Sequence, residues 1–214
     1  MNNRFNTITM KKILLSIAIL FALLNTCFAQ ENTKNFISYA VRVGDNYSTL
    51  IGTNVSCKWK TGFNIGATVD FAFTDAFSLR PGVYFSMKGF KDDNDDNIRF
   101  NYLETPILAI FSWSLNSNMS LELQTGPYFA YGIGGKTKDE GLAYDPVTQK
   151  SEYRTFEDKV FDHFDRFDWG LNAGVGLNIH QFYVGTAYEL GITKIINGSR
   201  HNCYMINFGY TFKH

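Results

Sequence analysis

Residues 167–179 read FDWGLNAGVGLNI, and every second position from Phe167 to Ile179 is apolar, most of them bulky. In an extended strand successive side chains point to opposite faces, so the apolar residues share one face, and Asp, Gly and Asn share the other. A soluble barrel points its bulky side chains into a core, and its exterior is not built from glycine, asparagine and acid. The pattern is typical of a membrane strand whose bulky face meets lipid and whose small polar face lines a narrow barrel.

The first residues carry the parts of a secretory signal peptide. Lys11 and Lys12 precede an apolar run that extends to Leu24, and Ala29 ends the segment. The run is too short to span a membrane comfortably, so we expect cleavage after Ala29. The predicted division is a signal peptide of residues 1–29 and an outer-membrane barrel domain of residues 30–214. A lipoprotein carrying its lipid on Cys27 is the alternative, although the residue before that cysteine is usually smaller than threonine.

Charge and hydropathy argue against a nucleic-acid-binding protein and against a helical membrane protein. Cleavage would remove three of the 20 basic residues and none of the 20 acidic ones, which gives the mature chain a formal net charge of −3. This balance argues against a nucleic-acid partner. After residue 29 no segment approaches the ~20 apolar residues of a membrane helix. Both observations suit one all-β domain.

The same alternation recurs along the chain, and we predict an antiparallel, up-and-down barrel of eight transmembrane strands. Short connections alternate with longer ones, which is the pattern of periplasmic turns and external loops, so both termini are expected in the periplasm. Three prolines within the predicted strands count against this assignment, because proline removes an amide donor from the hydrogen-bond ladder. They are Pro81, Pro106 and Pro127. The strands are predicted near residues 36–45, 61–74, 76–90, 98–113, 119–133, 167–179, 181–191 and 202–212, with the longer connections at 46–60, 91–97, 134–166 and 196–201.

The charged residues in the middle of the predicted strands all fall on the inward face. A lipid-facing Arg or Lys at the membrane midplane would cost ~2–4 kcal/mol, which explains their absence outside. An eight-stranded barrel is just wide enough for side chains to fill, so we predict a buried polar network that plugs the lumen. A narrow path for protons or ions is the alternative. The network is predicted to contain Arg42, Asp70, Arg80, Glu104, Glu122 and Glu189; Asp168 and Lys88 also face inward.

Two cysteines, Cys57 and Cys203, remain after cleavage of the signal peptide. The sequence leaves open whether they form a disulfide or stay as thiols.

The run 91–97 suggests a cation ligand only weakly. It places acids and amides at alternate positions, as in a calcium loop, but it lacks the glycine and glutamate that such a loop needs. We interpret it as a solvated hairpin loop, with adventitious divalent binding as the alternative, and we predict no cofactor.

The loop 134–166 ends in alternating Phe and Asp, as in Phe161-Asp-His-Phe164. We expect these aromatic residues to pack on the barrel mouth as a short helix or an extended rim, with metal ligands or a partner surface as alternatives. His163, His180 and His201 are the candidate bases of a catalytic site. The sequence around these histidines shows no recognisable spacing of nucleophile, base and acid, so we predict that the protein is not an enzyme.

Four segments resemble, in order, one known family. The segment Asn101–Leu108, NYLETPIL, resembles the Tyr-Leu-Glu-apolar-Pro strand of the PorT-like outer-membrane β-barrel family of Bacteroidetes. The segments Gly126–Phe129, Phe167–Gly170 and Tyr188–Thr193 resemble later strands of that family. Two departures are the end of the last strand, Phe212-Lys-His, and the extended third loop. The resemblance implies a barrel and does not imply a role in secretion.

Together these features predict a small, non-catalytic barrel in the outer membrane of a Gram-negative bacterium. Its polar-plugged lumen suits a structural, adhesive or partner-anchoring role. A narrow pore and a lipid A-modifying enzyme are the alternatives. The expected partners are outer-membrane lipid and lipopolysaccharide, the barrel-assembly machinery during insertion, and an envelope protein that the sequence does not identify.

Overall fold

The computed structural model describes residues 37–52, 57–91, 97–145, 150–162, 164–194 and 198–212. The predicted signal peptide, the acidic run 92–96 and His163 lie outside these ranges. Within them, no helix has the length and apolar character needed to cross a membrane. The elements are β1 (Ile37–Ile51), β2 (Lys58–Ala72), β3 (Phe77–Lys91), β4 (Asn97–Asn116), β5 (Met119–Asp145), β6 (Lys150–Lys159), a 3₁₀ turn (Val160–Asp162), β7 (Phe167–Ile179), β8 (Phe182–Gly191) and β9 (Arg200–Phe212).

Eight of these strands form a closed antiparallel ring. Each of β1 to β4 pairs with the next strand, β5 pairs with β7, and β7, β8 and β9 follow in order. Pairing of β9 with β1, from Tyr39–Phe212 to Ile51–Arg200, closes the ring. The predicted eight-stranded meander is confirmed.

The strands β5 and β6 extend beyond this ring. Residues Lys136–Asp145 of β5 pair with β6, whereas the pairing of β5 with β4 ends at Lys138. The long loop predicted over 134–166 therefore contains a β-hairpin along most of its length. Strand β1 is also longer than predicted and reaches Ile51, because β2 and β9 both supply pairing partners beyond Asp45.

The barrel is polar inside and apolar outside. Val83 and Ile65 face outward and expose 53% of their surface, whereas Arg80 and Glu104 face inward and expose 4% and 3%. All eight predicted inward charges are buried. An exterior of exposed aliphatic and aromatic side chains around a charged interior suits lipid outside the barrel.

Not every strand charge faces inward. Asp45 on β1 and Arg99 on β4 are exposed and lie on the outward face. Both lie near the ends of the predicted strands 36–45 and 98–113, so the prediction, which concerned mid-strand charges, did not include them. Each lies towards the end of the barrel that carries the longer connections, away from the middle of the apolar band.

The two ends of the barrel differ. The turn end carries the short connections, such as the turn at 180–181, where the His180 amide donates to the Asn118 carbonyl. The loop end carries the longer connections and the β5–β6 hairpin. We use these two names below.

The ladder is interrupted at all three strand prolines. Pairing of β3 with β4 passes from Pro81–Ile107 to Tyr84–Glu104, which omits Pro106. Pairing of β2 with β3 passes from Thr68–Gly82 to Phe71–Leu79, which omits the positions opposite Pro81. Pairing of β4 with β5 passes from Pro106–Tyr128 to Ala109–Thr125, which omits Pro127. A proline lacks the amide donor that these positions would need, and the barrel tolerates it by leaving a local gap.

Candidate functional site

The first charged cluster in the lumen, the turn-end ion group, consists of Asp70 on β2, Arg80 on β3 and Glu122 on β5. Arg80 Nη1 and Nη2 donate to the two carboxylate oxygens of Glu122 over 2.9 and 3.0 Å. The same guanidinium donates from Nε to one oxygen of Asp70, and from Nη2 to the other over 3.1 Å. Because β4 separates β3 from β5 in the ring, Arg80 ties together strands that do not pair. The guanidinium is chelated by a carboxylate on each side.

The second cluster, the loop-end ion group, consists of Lys88 on β3, Glu104 on β4 and Glu189 on β8. Lys88 Nζ lies 2.6 Å from a carboxylate oxygen of each partner. It also lies 4.5 Å from the centre of the Tyr128 ring. The Lys88 side chain is fully buried, and two carboxylates with an aromatic face supply the partners that a buried ammonium requires.

Five of the six predicted network residues are thus divided between two groups. Asp70, Arg80 and Glu122 belong to one, and Glu104 and Glu189 belong to the other. Lys88 centres the second group, although the sequence prediction placed it inward without including it in the network. Lys88 lies on the same face of β3 as Arg80, and this spacing predicts that its side chain points inward. The strand pattern alone does not show which carboxylates a long side chain reaches across the lumen.

Arg42 pairs with no carboxylate of the described residues, which corrects its predicted role. It is 5% exposed, and within the described part of the chain none of its three side-chain nitrogens has a hydrogen-bond partner. Its guanidinium carbon lies 3.7 Å from the centre of the Tyr183 ring. The wall on both sides of Arg42 carries no side chain at the paired positions, because these are Gly66 and Gly209 on the two neighbouring strands. The guanidinium therefore has room to stack along the wall.

The lumen carries more acid than base. Among the described residues, the buried charged side chains are three bases and five carboxylates. Asp168 belongs to neither ion group; its Oδ2 accepts a hydrogen bond from the Tyr128 hydroxyl over 3.2 Å, and its Oδ1 has no partner. The bases are Arg42, Arg80 and Lys88, and the carboxylates are Asp70, Glu104, Glu122, Asp168 and Glu189.

An aromatic cover closes the loop end. It is formed by Phe90 on β3, Phe100 and Tyr102 on β4, and Phe161 and Phe164 from the segment between β6 and β7. The Phe100 ring centre lies 5.1 Å from that of Phe164 and 5.8 Å from that of Phe161. The prediction that the loop aromatics pack on the barrel mouth is confirmed.

His201 lies beneath this cover. It is 1% exposed, and its Nε2 lies 3.3 Å from the Tyr102 hydroxyl. Its Nδ1 has no hydrogen-bond partner among the residues that the structure describes. The ring stacks edge-on against Phe100, with centres 5.0 Å apart. Of the other candidate bases, His180 lies in a turn and His163 lies outside the described residues.

Two cavities lie along the lumen. A vestibule of about 570 Å³ at the turn end is lined mainly by hydroxyl and amide side chains, and Arg80 lies at its inner end. A smaller cavity of about 30 Å³ lies deeper and is bordered by Arg42, Arg80, Glu104 and Glu189. Arg80 lines both, so the turn-end ion group separates the vestibule from the interior.

Cys57 and Cys203 are not joined by a disulfide. Cys57 packs against the aromatic cover, and Cys203 is buried in the wall opposite Glu189 on β8. This arrangement favours separate thiols, the second of the two alternatives. No group of three or more His, Cys, Asp or Glu side chains within the described ranges is placed to hold a metal ion.

The chain is similar to several solved structures of outer-membrane barrels. The attachment invasion locus protein Ail of Yersinia pestis, solved with the heparin analogue sucrose octasulfate, is 18% identical, with 84% of this chain and 100% of that chain covered and a TM-score of 0.43. OprG of Pseudomonas aeruginosa is 14% identical, with 84% and 98% covered and a TM-score of 0.45. Neisserial surface protein A is 13% identical, with 82% and 97% covered and a TM-score of 0.45. None of the curated proteins compared with this chain matches it.

A family model described as an outer membrane protein beta-barrel domain matches residues 28–197, which is most of the chain. The match spans the region from before β1 to the connection between β8 and β9. It agrees with the closed ring, the apolar exterior and the charged lumen described above. This protein is a member of the outer membrane protein beta-barrel domain family, a small eight-stranded barrel of the outer membrane.

Proposed function

We propose that this protein is a non-catalytic outer-membrane anchor that presents its loop end to a protein partner. The observation that carries this proposal is the filled lumen. Arg80 is chelated on both sides by carboxylates at one level, and five aromatic rings close the mouth at another. A barrel filled by its own side chains suits a structural or adhesive role better than passage of solutes.

The β5–β6 hairpin is the surface that we assign to the partner. Ten residue pairs, Lys136–Lys159 to Asp145–Lys150, build a ribbon that continues past the ring. Within the described residues β6 pairs only with β5, so the other edge of β6 presents backbone donors and acceptors. Such an edge can pair with an extended segment of another chain.

We infer the orientation of the barrel in the membrane from its two ends. Short turns at one end and longer connections at the other support a periplasmic turn end and an external loop end, with both termini in the periplasm. Lipopolysaccharide and phospholipid would surround the apolar band, and the barrel-assembly machinery would insert the chain. We further place the protein in the PorT-like branch of Bacteroidetes, on the motifs that begin at Asn101, Gly126, Phe167 and Tyr188.

The test is a crosslinking pull-down from intact outer membranes with two matched variants. One variant replaces residues 139–156 by a short Gly-Ser turn, and the control variant replaces the turn-end residues Asn116–Asn118 by Gly-Ser. We expect both variants to keep the mobility difference between boiled and unboiled samples that a folded barrel shows. A partner band lost only from the hairpin variant supports the proposal, and a band retained in that variant overturns it.

Two rival functions are tested separately. Single-channel recordings in a planar bilayer would reveal a pore, and steady currents that change in Glu104→Gln would contradict a filled lumen. Lipid A mass spectra of cells with and without the gene would reveal a lipid-modifying enzyme. His201 is enclosed inside the wall, where it does not face lipid, which supports the non-catalytic proposal.

A further inference from the structure

On the outward wall at the loop end, basic residues of β2 and β4 come together over one glycine of β3. Arg99 on β4 is exposed and pairs with Gly89, so the wall beside Arg99 carries no side chain at that position. The Lys60 side chain of β2 lies there instead, because a Cβ built on Gly89 would be 3.1 Å from Lys60 Cδ. Lys60 Nζ donates to the Ile98 carbonyl over 3.1 Å, which places this ammonium beside the backbone of Arg99.

Two pairs of bases face each other across the ladder in the same region. Arg99 pairs with Lys136 on β5, and both residues are exposed. Lys58 on β2 pairs with Lys91 on β3, one step closer to the loop end. Directly opposed residues share a face of the sheet, and like charges in such a pair repel and destabilise it. We call the five residues the basic patch: Lys58, Lys60, Lys91, Arg99 and Lys136.

The strands around the basic patch contribute no negative charge to it. The loop-end stretches of β2, β3, β4 and β5 that form this part of the wall are residues 58–66, 83–91, 97–103 and 129–137, and none of them contains an acid. An anion that accepts hydrogen bonds from both bases of an opposed pair would turn their repulsion into attraction. The basic patch therefore suits a negatively charged ligand at the outer surface of the barrel.

The depth of the basic patch follows from the apolar band on β4. This band extends on the outward face from Leu103 to Trp113, which are 48% and 51% exposed. At a rise of about 3.4 Å per residue and a tilt of about 40°, it spans about 26 Å, as expected for the lipid-facing band of such a barrel. By the same geometry Arg99 lies about 10 Å beyond Leu103, which is the level of the lipid headgroups.

We propose that the basic patch binds the phosphate groups of lipid A, the membrane-embedded part of lipopolysaccharide, against the wall of β2 to β5. The inference rests on the orientation proposed above, in which the loop end is external. Lipid A carries its phosphates directly above its acyl chains, so the chains can lie on the apolar band while the phosphates reach the bases. A phosphomonoester carries about −1.5 to −2 charges and accepts strong hydrogen bonds from ammonium and guanidinium groups.

The test measures lipid binding to the purified, refolded protein in detergent micelles by native mass spectrometry. The probes are phosphorylated lipid A and the same lipid after removal of its phosphates. EDTA is present, so that no divalent cation held by the acidic run 92–96 takes part. We expect the phosphorylated lipid to bind about tenfold more tightly. Equal binding of the two lipids would overturn the proposal, and this comparison depends on no variant.

The variant that tests the residues is Arg99→Gln with Lys136→Gln, which removes one opposed pair. Its affinity for phosphorylated lipid A should fall to that for the dephosphorylated lipid. The matched control is Arg200→Gln, which removes an exposed base at the loop end of β9, on the opposite side of the ring from β4. The control should bind like the parent. A double variant that binds like the parent, or a control that loses as much affinity, would contradict the basic patch.

Two further probes separate the sources of phosphate. Inorganic phosphate is compared with chloride at equal ionic strength and should displace lipid A no better. Phosphatidylglycerol should bind more weakly than phosphorylated lipid A, because its phosphodiester carries a single charge. Displacement by inorganic phosphate alone, or equal binding of phosphatidylglycerol, would refute the assignment to lipid A. Because the measurement uses purified protein and leaves residues 139–156 intact, such a failure does not bear on the hairpin partner or the orientation.

Discussion

Arg80 on β3 and Glu122 on β5 are joined by two parallel hydrogen bonds of 2.9 and 3.0 Å, although β4 lies between their strands. The contact spans the interior of the ring and adds a link that no backbone ladder provides. Asp70 on β2 holds the other side of the same guanidinium. Three strands are therefore connected through one buried side chain.

Arg80→Met should strongly destabilise the barrel. The substitution keeps much of the side-chain length but leaves Asp70 and Glu122 buried without a positive partner, which costs about 3–5 kcal/mol. The free energy of unfolding would be measured by urea titration in lipid vesicles. Leu79→Met, one residue away and facing outward, is the control. A loss no larger than that of the control would mean that the ion group contributes little.

The loop-end ion group should respond unequally to loss of acid and loss of base. Lys88→Met leaves Glu104 and Glu189 facing each other without their shared ammonium, and we expect a loss of about 3–5 kcal/mol. Glu104→Gln leaves Lys88 paired with Glu189 and removes one charge from an acidic lumen, so its effect should be clearly smaller. Urea titration of both variants under identical conditions compares them. Equal losses would contradict the excess of acid.

Glycines of the wall should differ in their tolerance of alanine. A Cβ at Gly170 would lie 2.2 Å from the Leu190 carbonyl oxygen, a backbone atom that cannot move cheaply, so Gly170→Ala should cost about 1–3 kcal/mol. At Gly134 the nearest atom would be 3.9 Å away, and Gly134→Ala should be neutral or slightly stabilising. The unfolding free energies of the two variants would be compared. A neutral Gly170→Ala would show that β7 and β8 can separate.

The free-energy cost of a charge on the outer surface should depend on its depth in the membrane. Val175 lies in the middle of β7 and is 48% exposed on the lipid side, so Val175→Arg should cost about 2–4 kcal/mol. Phe182 lies at the turn end of β8, and Phe182→Arg should cost only about 0–1 kcal/mol on the charge term. The measurement is refolding into vesicles in urea. A similar cost at both positions would contradict the assignment of the apolar band to lipid.

Alternation along each strand was enough to predict which charges face inward, because period-2 geometry is a local property of the backbone. The same reasoning missed where the strands end. Beyond Asp45 and Gly134 pairing continues only because neighbouring strands supply partners, and that information is not local. Lys88 shows the same limit. Its inward direction could be predicted from the strand pattern, but its partners could not, because Glu104 and Glu189 lie on other strands.

By itself, the sequence determined the eight-stranded ring, its apolar exterior and the burial of its charges, because residue spacing fixes the face on which each side chain lies. Only the tertiary structure decided how those charges are divided. Closure of the ring brings Arg80 between Asp70 and Glu122, leaves Arg42 stacked on Tyr183, and sets Phe161 over Gly132. These contacts depend on distances across the lumen, and such distances exist only once all eight strands have closed.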